Sequence, residues 1–116
     1  MLTSKTVRGH LDEVKRHLNI TWHDAKTDKK IIDTMYDAEV ALNHKLGATI
    51  DYFKPGQERS LYMAYMLYAW NECLNEFDSA YRSEIMQIRH KYEIGASMSA
   101  GERSNEEDKE QIHTLQ

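Results

Sequence analysis

Six histidines, a single cysteine and nineteen Asp or Glu residues carry whatever side-chain chemistry this chain performs, and their spacing limits what that can be. His10 and His17 lie seven residues apart and can share one helix face. His23 is followed by Asp24 in a polar stretch. The only Glu-x-x-His runs from Glu110 to His113, near the C-terminal end. A di-iron bundle needs two such motifs and further carboxylates from other helices. A zincin needs His-Glu-x-x-His, which is absent. Cys73, being alone, allows no internal disulfide and no cysteine-based zinc site. Its apolar surroundings suit a buried, inert thiol. Ser60, Ser79 and Ser83 lack a nucleophile-elbow context. Asp12 and Glu13 are sequence neighbours, so on a helix they point apart and belong to a solvated face. The five glycines are scattered and form no phosphate loop. The expectation is therefore no catalytic residue, no metal ligand set and no cofactor.

Aromatic residues are the other concentration. The stretch "SLYMAYMLYAWNECLNEFDSAYRSEI", residues 60–85, holds Tyr62, Tyr65, Tyr68, Trp70, Phe77 and Tyr81, six of eleven in the chain (two Trp, seven Tyr, two Phe). A platform that stacks bases is paired with a basic groove. Between Ser60 and Ala80 the charges are Glu72, Glu76 and Asp78, with no Lys or Arg. Packing is the better reading. Met63, Leu67, Trp70, Leu74, Phe77, Tyr81, Ile85, Ile88 and Tyr92 step by 3 or 4 residues, a mean close to about 3.6, and form the expected core stripe. Leu61, Tyr65 and Tyr68 fall nearly opposite that stripe. A helix apolar on both faces is either central in its own domain or shared with another subunit. Aromatic residues are enriched at interfaces, so these three are the candidate oligomer interface.

These side chains sit on a helical framework. Val7, Leu11, Val14 and Leu18 mark one face of a first helix, with Thr3 or Ser4 as its cap. "NITWHDAKTD" reads as a loop, with Ile20 and Trp22 tucked back as apolar plugs. Asp24 or Thr27 caps a second helix, whose stripe is Ile31, Met35, Ala38, Leu42 and Leu46 and whose stop is Gly47. "ATIDYF" reads as one or two helical turns, and "KPGQ" as a turn. The third segment contains no Gly or Pro between Gln57 and Glu93. One straight helix of about 36 residues would be about 54 Å long. A domain of about 95 residues has a radius of gyration of only about 12 Å. The segment therefore either projects from the bundle or, as is the better reading, bends or breaks near "NECLNE", where Asn75 can cap a second piece.

With 116 residues, 41% apolar and 29% charged, the chain has room for one domain. The expected architecture is all-α: a small helical bundle over residues 1–94, with a long, bent C-terminal helix. Residues 95–116 have no apolar period and a local charge of −3 (Arg103 and Lys109 against five carboxylates), and read as a flexible acidic tail. The net charge of −4 weakens any general nucleic-acid role, because phosphate binding needs clustered Lys and Arg. Lys15-Arg16 and Lys29-Lys30 are too short to define such a surface. No run of about 18 apolar residues exists, so no membrane partner is expected. "MLTSKTVRGHLDEVK" turns polar too early for a signal peptide, which places the protein inside a cell or a particle assembled there.

Read together, "LDEVKRHLNI", "DKKIIDTMYDAEVALNHKLG" and "ERSLYMAYMLYAWNECLNEFDSAYRSEIMQIRHKY" resemble the head-tail connector family of tailed bacteriophages, also called adaptor or head-completion proteins. The resemblance covers about residues 5–93. It is carried best by "VKRHLNI" and by the aromatic helix that passes through Asn into "NEFDSAYRSEIMQIR". The loop "TWHDAKTDK" is less acidic than the family pattern. The resemblance implies a structural virion protein, made in the bacterial cytoplasm, that forms a ring of about twelve copies beneath the portal. Such a ring extends the DNA channel and docks a stopper or tail-completion protein. DNA passes through without specific binding, and there is no enzyme activity. The alternative is a small phage DNA-packaging or regulatory DNA-binding protein with a hidden helix-turn-helix, which would need a basic exposed face on one helix.

Overall fold

The computed structural model describes residues 2–95. Among them every regular element is helical. The order is α1 (Ser4–His17), α2 (Ala25–Leu46), α3 (Gln57–Trp70), a 3₁₀ turn (Leu74–Glu76), the single turn α4 (Phe77–Ala80) and α5 over residues 82–95. The acidic tail expected after Gly95 lies outside the described residues.

Local chemistry sets each boundary. Thr3 is the cap of α1: its Oγ1 accepts from the Thr6 backbone N–H at 3.2 Å. Asp24 caps α2 by accepting from the Thr27 N–H at 3.3 Å and the Thr27 hydroxyl at 2.9 Å. Asn19 and Gly47 take left-handed conformations, φ 60° and 69°, just past the ends of α1 and α2. After α1 the Ile20 N–H reaches back to the Lys15 carbonyl at 2.8 Å and the Asn19 N–H to Arg16 at 3.1 Å. That is a Schellman stop, and it turns Ile20 into the core at 4% exposure. Trp22, expected to plug the core beside it, is 51% exposed. The chain has already turned outward there, and the Asp24 cap leaves the indole above the start of α2, its N–H donating to Thr27 Oγ1 at 3.5 Å.

The stripe of α2 is fully buried at Ile31, Met35, Ala38, Leu42 and Leu46. It meets α1 through Val7, Val14 and Leu18, and α3 on its other flank. "ATIDYF" is irregular rather than helical. Asn43 explains why: its Oδ1 accepts from the Ile50 N–H at 3.2 Å and from the Tyr52 hydroxyl at 2.7 Å. Asp51 Oδ1 accepts from the Phe53 N–H at 3.0 Å. Side chains thus supply the bonds a helix would have made, and Ile50 and Tyr52 become the plugs.

The aromatic segment breaks after Trp70. Glu72 adopts φ 58°. The Cys73 N–H returns to the Tyr68 carbonyl at 2.9 Å and the Glu72 N–H to Ala69 at 3.2 Å, a second Schellman stop. Asn75 lies inside the 3₁₀ turn and caps nothing. The chain then reverses, and α5 runs antiparallel beside α3. Gln57 donates to Gln87 at 3.0 Å, and Lys91 pairs with Glu58. The segment therefore breaks within "NECLNE", where a bend or break is expected, and its two pieces form a hairpin. Because the helical register is lost between Asn71 and Cys73, the spacing no longer predicts facing across the break. Leu74, expected in the core stripe, is 40% exposed.

Candidate functional site

From Leu61 to Met66 every residue of α3 is buried; α1 and α2 pack against it, and α5 lies alongside through Gln57–Gln87 and Glu58–Lys91. Leu61 and Tyr65, the candidate interface residues, keep 3% and 8% of their surface. Tyr68 is half-buried. These positions are occupied from within the protomer, so little of Leu61 or Tyr65 is left for a neighbour to touch. Of the core stripe, Met63, Phe77 and Ile88 are buried, Leu67, Trp70, Tyr81 and Ile85 are half-buried against the core, and Leu74 lies outside it.

The aromatic residues form two groups that fix α3 at both ends. Tyr62 stacks on Tyr52 (5.1 Å, 21°) and meets Phe53 edge-on at 5.3 Å, while Phe53 lies flat on His10 at 4.1 Å. The Tyr62 hydroxyl donates to the Met35 carbonyl at 2.8 Å. At the other end Phe77 is the hub, edge-on to Tyr65 (5.1 Å) and Tyr68 (5.8 Å) and stacked on Tyr81 (5.2 Å). Burial pushes the Tyr52 and Tyr62 phenols far above their ordinary range, and the nearby Glu39 carboxylate adds to it. These rings are structural.

The open surface lies elsewhere. A cleft of about 600 Å³ separates the C-terminal turns of α2 from the α4–α5 segment. Ile85 and Met86 give it an apolar floor, and Met86 is 59% exposed. Val40, one helical turn before His44 on α2, is 64% exposed. Lys45 crosses to Asp78 at 2.8 Å, and Arg89 turns to Glu93 at 3.2 Å. Ser79, His44 and Asp78 all line this cleft. They do not form a triad: Asp78 is engaged by Lys45, and among the described residues no hydrogen bond joins His44 to either partner. Apolar floor and charged walls suit a protein contact rather than a reaction.

The histidines are dispersed. His10 pairs with Glu13 at 3.1 Å, His23 accompanies Lys15 at 3.4 Å, and His17 and His44 line different clefts. His113 and Glu110 lie outside the described residues. Among the described residues no group of three or more His, Cys, Asp or Glu side chains is arranged to hold a metal ion, and no helix is long and apolar enough to cross a membrane. Cys73 is half-buried, its thiol 3.5 Å from the Tyr68 carbonyl.

Sequence reasoning missed two buried charges, Lys15 and Glu39, each 4% exposed. The signal was present. Glu39 falls four residues after Met35 and three before Leu42, on the α2 stripe itself. Lys15 is four after Leu11 and three before Leu18. Lys15 is satisfied by Asp28 at 2.8 Å.

In comparison with known proteins, the chain matches no family model, no curated protein and no solved structure.

Proposed function

We propose that this chain is a structural protein of a tailed-phage particle, a head-tail connector that assembles as a ring beneath the portal and docks a stopper or tail-completion protein. The observation that supports this reading most is the resemblance carried by "VKRHLNI" and by the run from the aromatic helix through Asn71 into "NEFDSAYRSEIMQIR". An all-helical protomer with an apolar-floored cleft on its surface is compatible with it, because ring assembly needs a heterologous contact between unlike faces. In this reading the neighbour is held by the cleft between α2 and α4–α5, with Met86 and Val40 as its apolar contacts, rather than by Leu61 and Tyr65.

Native mass spectrometry of the protein mixed with assembled portal rings tests the proposal. Portal carrying a stoichiometric ring of this chain is the expected spectrum. A chain that stays monomeric and never joins portal, at concentrations well above micromolar, would sink it. Retention on duplex DNA that falls steeply with salt would instead favour a DNA-binding protein.

A further inference from the structure

The cleft between α2 and the α4–α5 segment has a charge of its own. Lys45, Arg82 and Arg89 line it against one carboxylate, Asp78. Lys45 is committed to Asp78, and Arg89 reaches out of the cleft to Glu93. Arg82 is exposed and joins none of the ion pairs among the described residues. The cation excess is local. The chain's net charge of −4, less the −3 carried beyond Gly95, leaves −1 for residues 1–95. Beneath these charges Ile85 and Met86 form an apolar floor that is left open, with Met86 59% exposed.

The complementary chemistry lies in the same chain. Beyond Gly95, four of the five carboxylates fall together in "EEDKE", as Glu106, Glu107, Asp108 and Glu110. Ile112 and Leu115 follow directly. A block of carboxylates beside two aliphatic side chains matches basic walls beside an apolar floor. The point of attachment favours this occupant as well. Residue 95, at the end of α5, is nine residues past Met86, about 14 Å along the helix axis. Residues 96–106 can span up to about 40 Å when extended, so the carboxylate block reaches the cleft without a stretched chain. A tether of this kind holds the block near the cleft at roughly millimolar effective concentration. Contacts too weak to join two separate molecules are then sufficient.

We propose that the cleft is the docking groove for the chain's own acidic segment, Glu106–Leu115, bound within the same molecule. Its carboxylates face Arg82 and Arg89, and Ile112 and Leu115 cover Met86 and Ile85. The same cleft is the proposed assembly surface, so segment and neighbour exclude one another and a partner must displace the segment to join. The inference does not rest on the phage reading, and each can fail alone, because the test below involves no portal.

NMR of the full-length protein follows the Met86 and Ile85 methyl signals and the Arg82 Nε–H signal. The comparison is a full-length variant carrying Glu106→Gln, Glu107→Gln, Asp108→Asn and Glu110→Gln, changes that leave residues 1–95 untouched. The three cleft signals should differ between the two proteins, while the indole signal of Trp22, at the opposite end of α2, stays in place. The wild-type positions should hold over an about tenfold dilution, as a contact within one molecule requires. Added salt should move them towards those of the variant. Identical cleft signals in the two proteins overturn the proposal. Shifts of equal size at Trp22 do so too, since the segment then has no preferred site. Cleft signals that move with dilution also overturn it, by placing the segment on a second copy. Arg82→Glu, at an exposed position, gives the check from the other side: it should abolish most of the difference between wild-type and neutralised segments, and a difference that persists in full overturns the assignment to this cleft. If Arg82→Glu fails to fold, the comparison of the two segments still decides.

Discussion

Tyr62 ties the centre of α3 to α2 through one hydrogen bond to the Met35 carbonyl, in a setting with no water to replace it. Tyr62→Phe should cost about 1 kcal/mol in urea unfolding, the usual net value of such a bond. A larger consequence appears in alkali. Tyr52 and Tyr62 are held neutral in the fold, mainly by burial, against an ordinary value of 10.0. Below about pH 10 both folded and unfolded chains keep the phenolic protons, so the pair adds no pH dependence. Above it the unfolded chain releases them and the folded chain does not, and stability falls as pH rises. The expected slope is about 1.4 kcal/mol per pH unit for each phenol. Urea midpoints between pH 9 and 11 check it, and Tyr62→Phe should lower the slope by that one phenol's share. Lys15 makes the complementary case. Asp28→Asn leaves a buried ammonium without its carboxylate and should cost about 2 kcal/mol or more, whereas Lys15→Met combined with Asp28→Leu should recover most of that loss. Denaturant midpoints of the three proteins decide it. Neither buried charge was legible as buried, because residue type speaks against it. Only their position on the apolar stripe speaks for it.

At the scale of elements, α1 and α2 were readable because their stripes, caps and stops agree: Val7 to Leu18 under Thr3, and Ile31 to Leu46 between Asp24 and Gly47. The segment from Met63 to Tyr92 was readable only in part. Its spacing continues through the break, so periodicity alone cannot show that α3 stops at Trp70. The turn is made by Glu72 in the left-handed region, a conformation that residue type gives no warning of. The loop "ATIDYF" was misread for a related reason, since its apolar residues are spaced for helix but Asn43 and Asp51 take over its backbone bonds. Glu72 yields a direct prediction. Glycine adopts φ 58° without Cβ strain, so Glu72→Gly should stabilise the protein by about 0.5–1 kcal/mol. Gly47→Ala, at φ 69°, should destabilise it by about 1 kcal/mol. Thermal or denaturant unfolding measures both, and a loss of stability in Glu72→Gly would mean that the left-handed turn is not what ends α3.

For the molecule as a whole, the density of aromatic residues turned out to serve the interior. Two ring clusters pin α3 between the loop after α2 and the α4–α5 arm, so the proposed assembly would use surfaces that the apolar pattern did not single out. The cleft that carries Met86 is one of these, with Val40 exposed one helical turn before it on α2, and both side chains contribute little to the protein's own core. That separation makes the assembly reading testable without confusing it with folding. Met86→Glu and Val40→Glu replace exposed side chains, so the protomer's unfolding free energy should change by no more than about 0.5 kcal/mol. Each places a carboxylate on a surface that would have to lose its water in a complex, and should weaken association with portal at least about tenfold. Tyr65→Ser should do the reverse: it opens the core beside Phe77 and lowers protomer stability by about 2–4 kcal/mol whether or not portal is present. Circular dichroism melts paired with sedimentation of portal mixtures give both numbers for every variant. If Tyr65→Ser melts like the wild type while failing to join portal, the buried face of α3 opens on assembly and the cleft is not the contact.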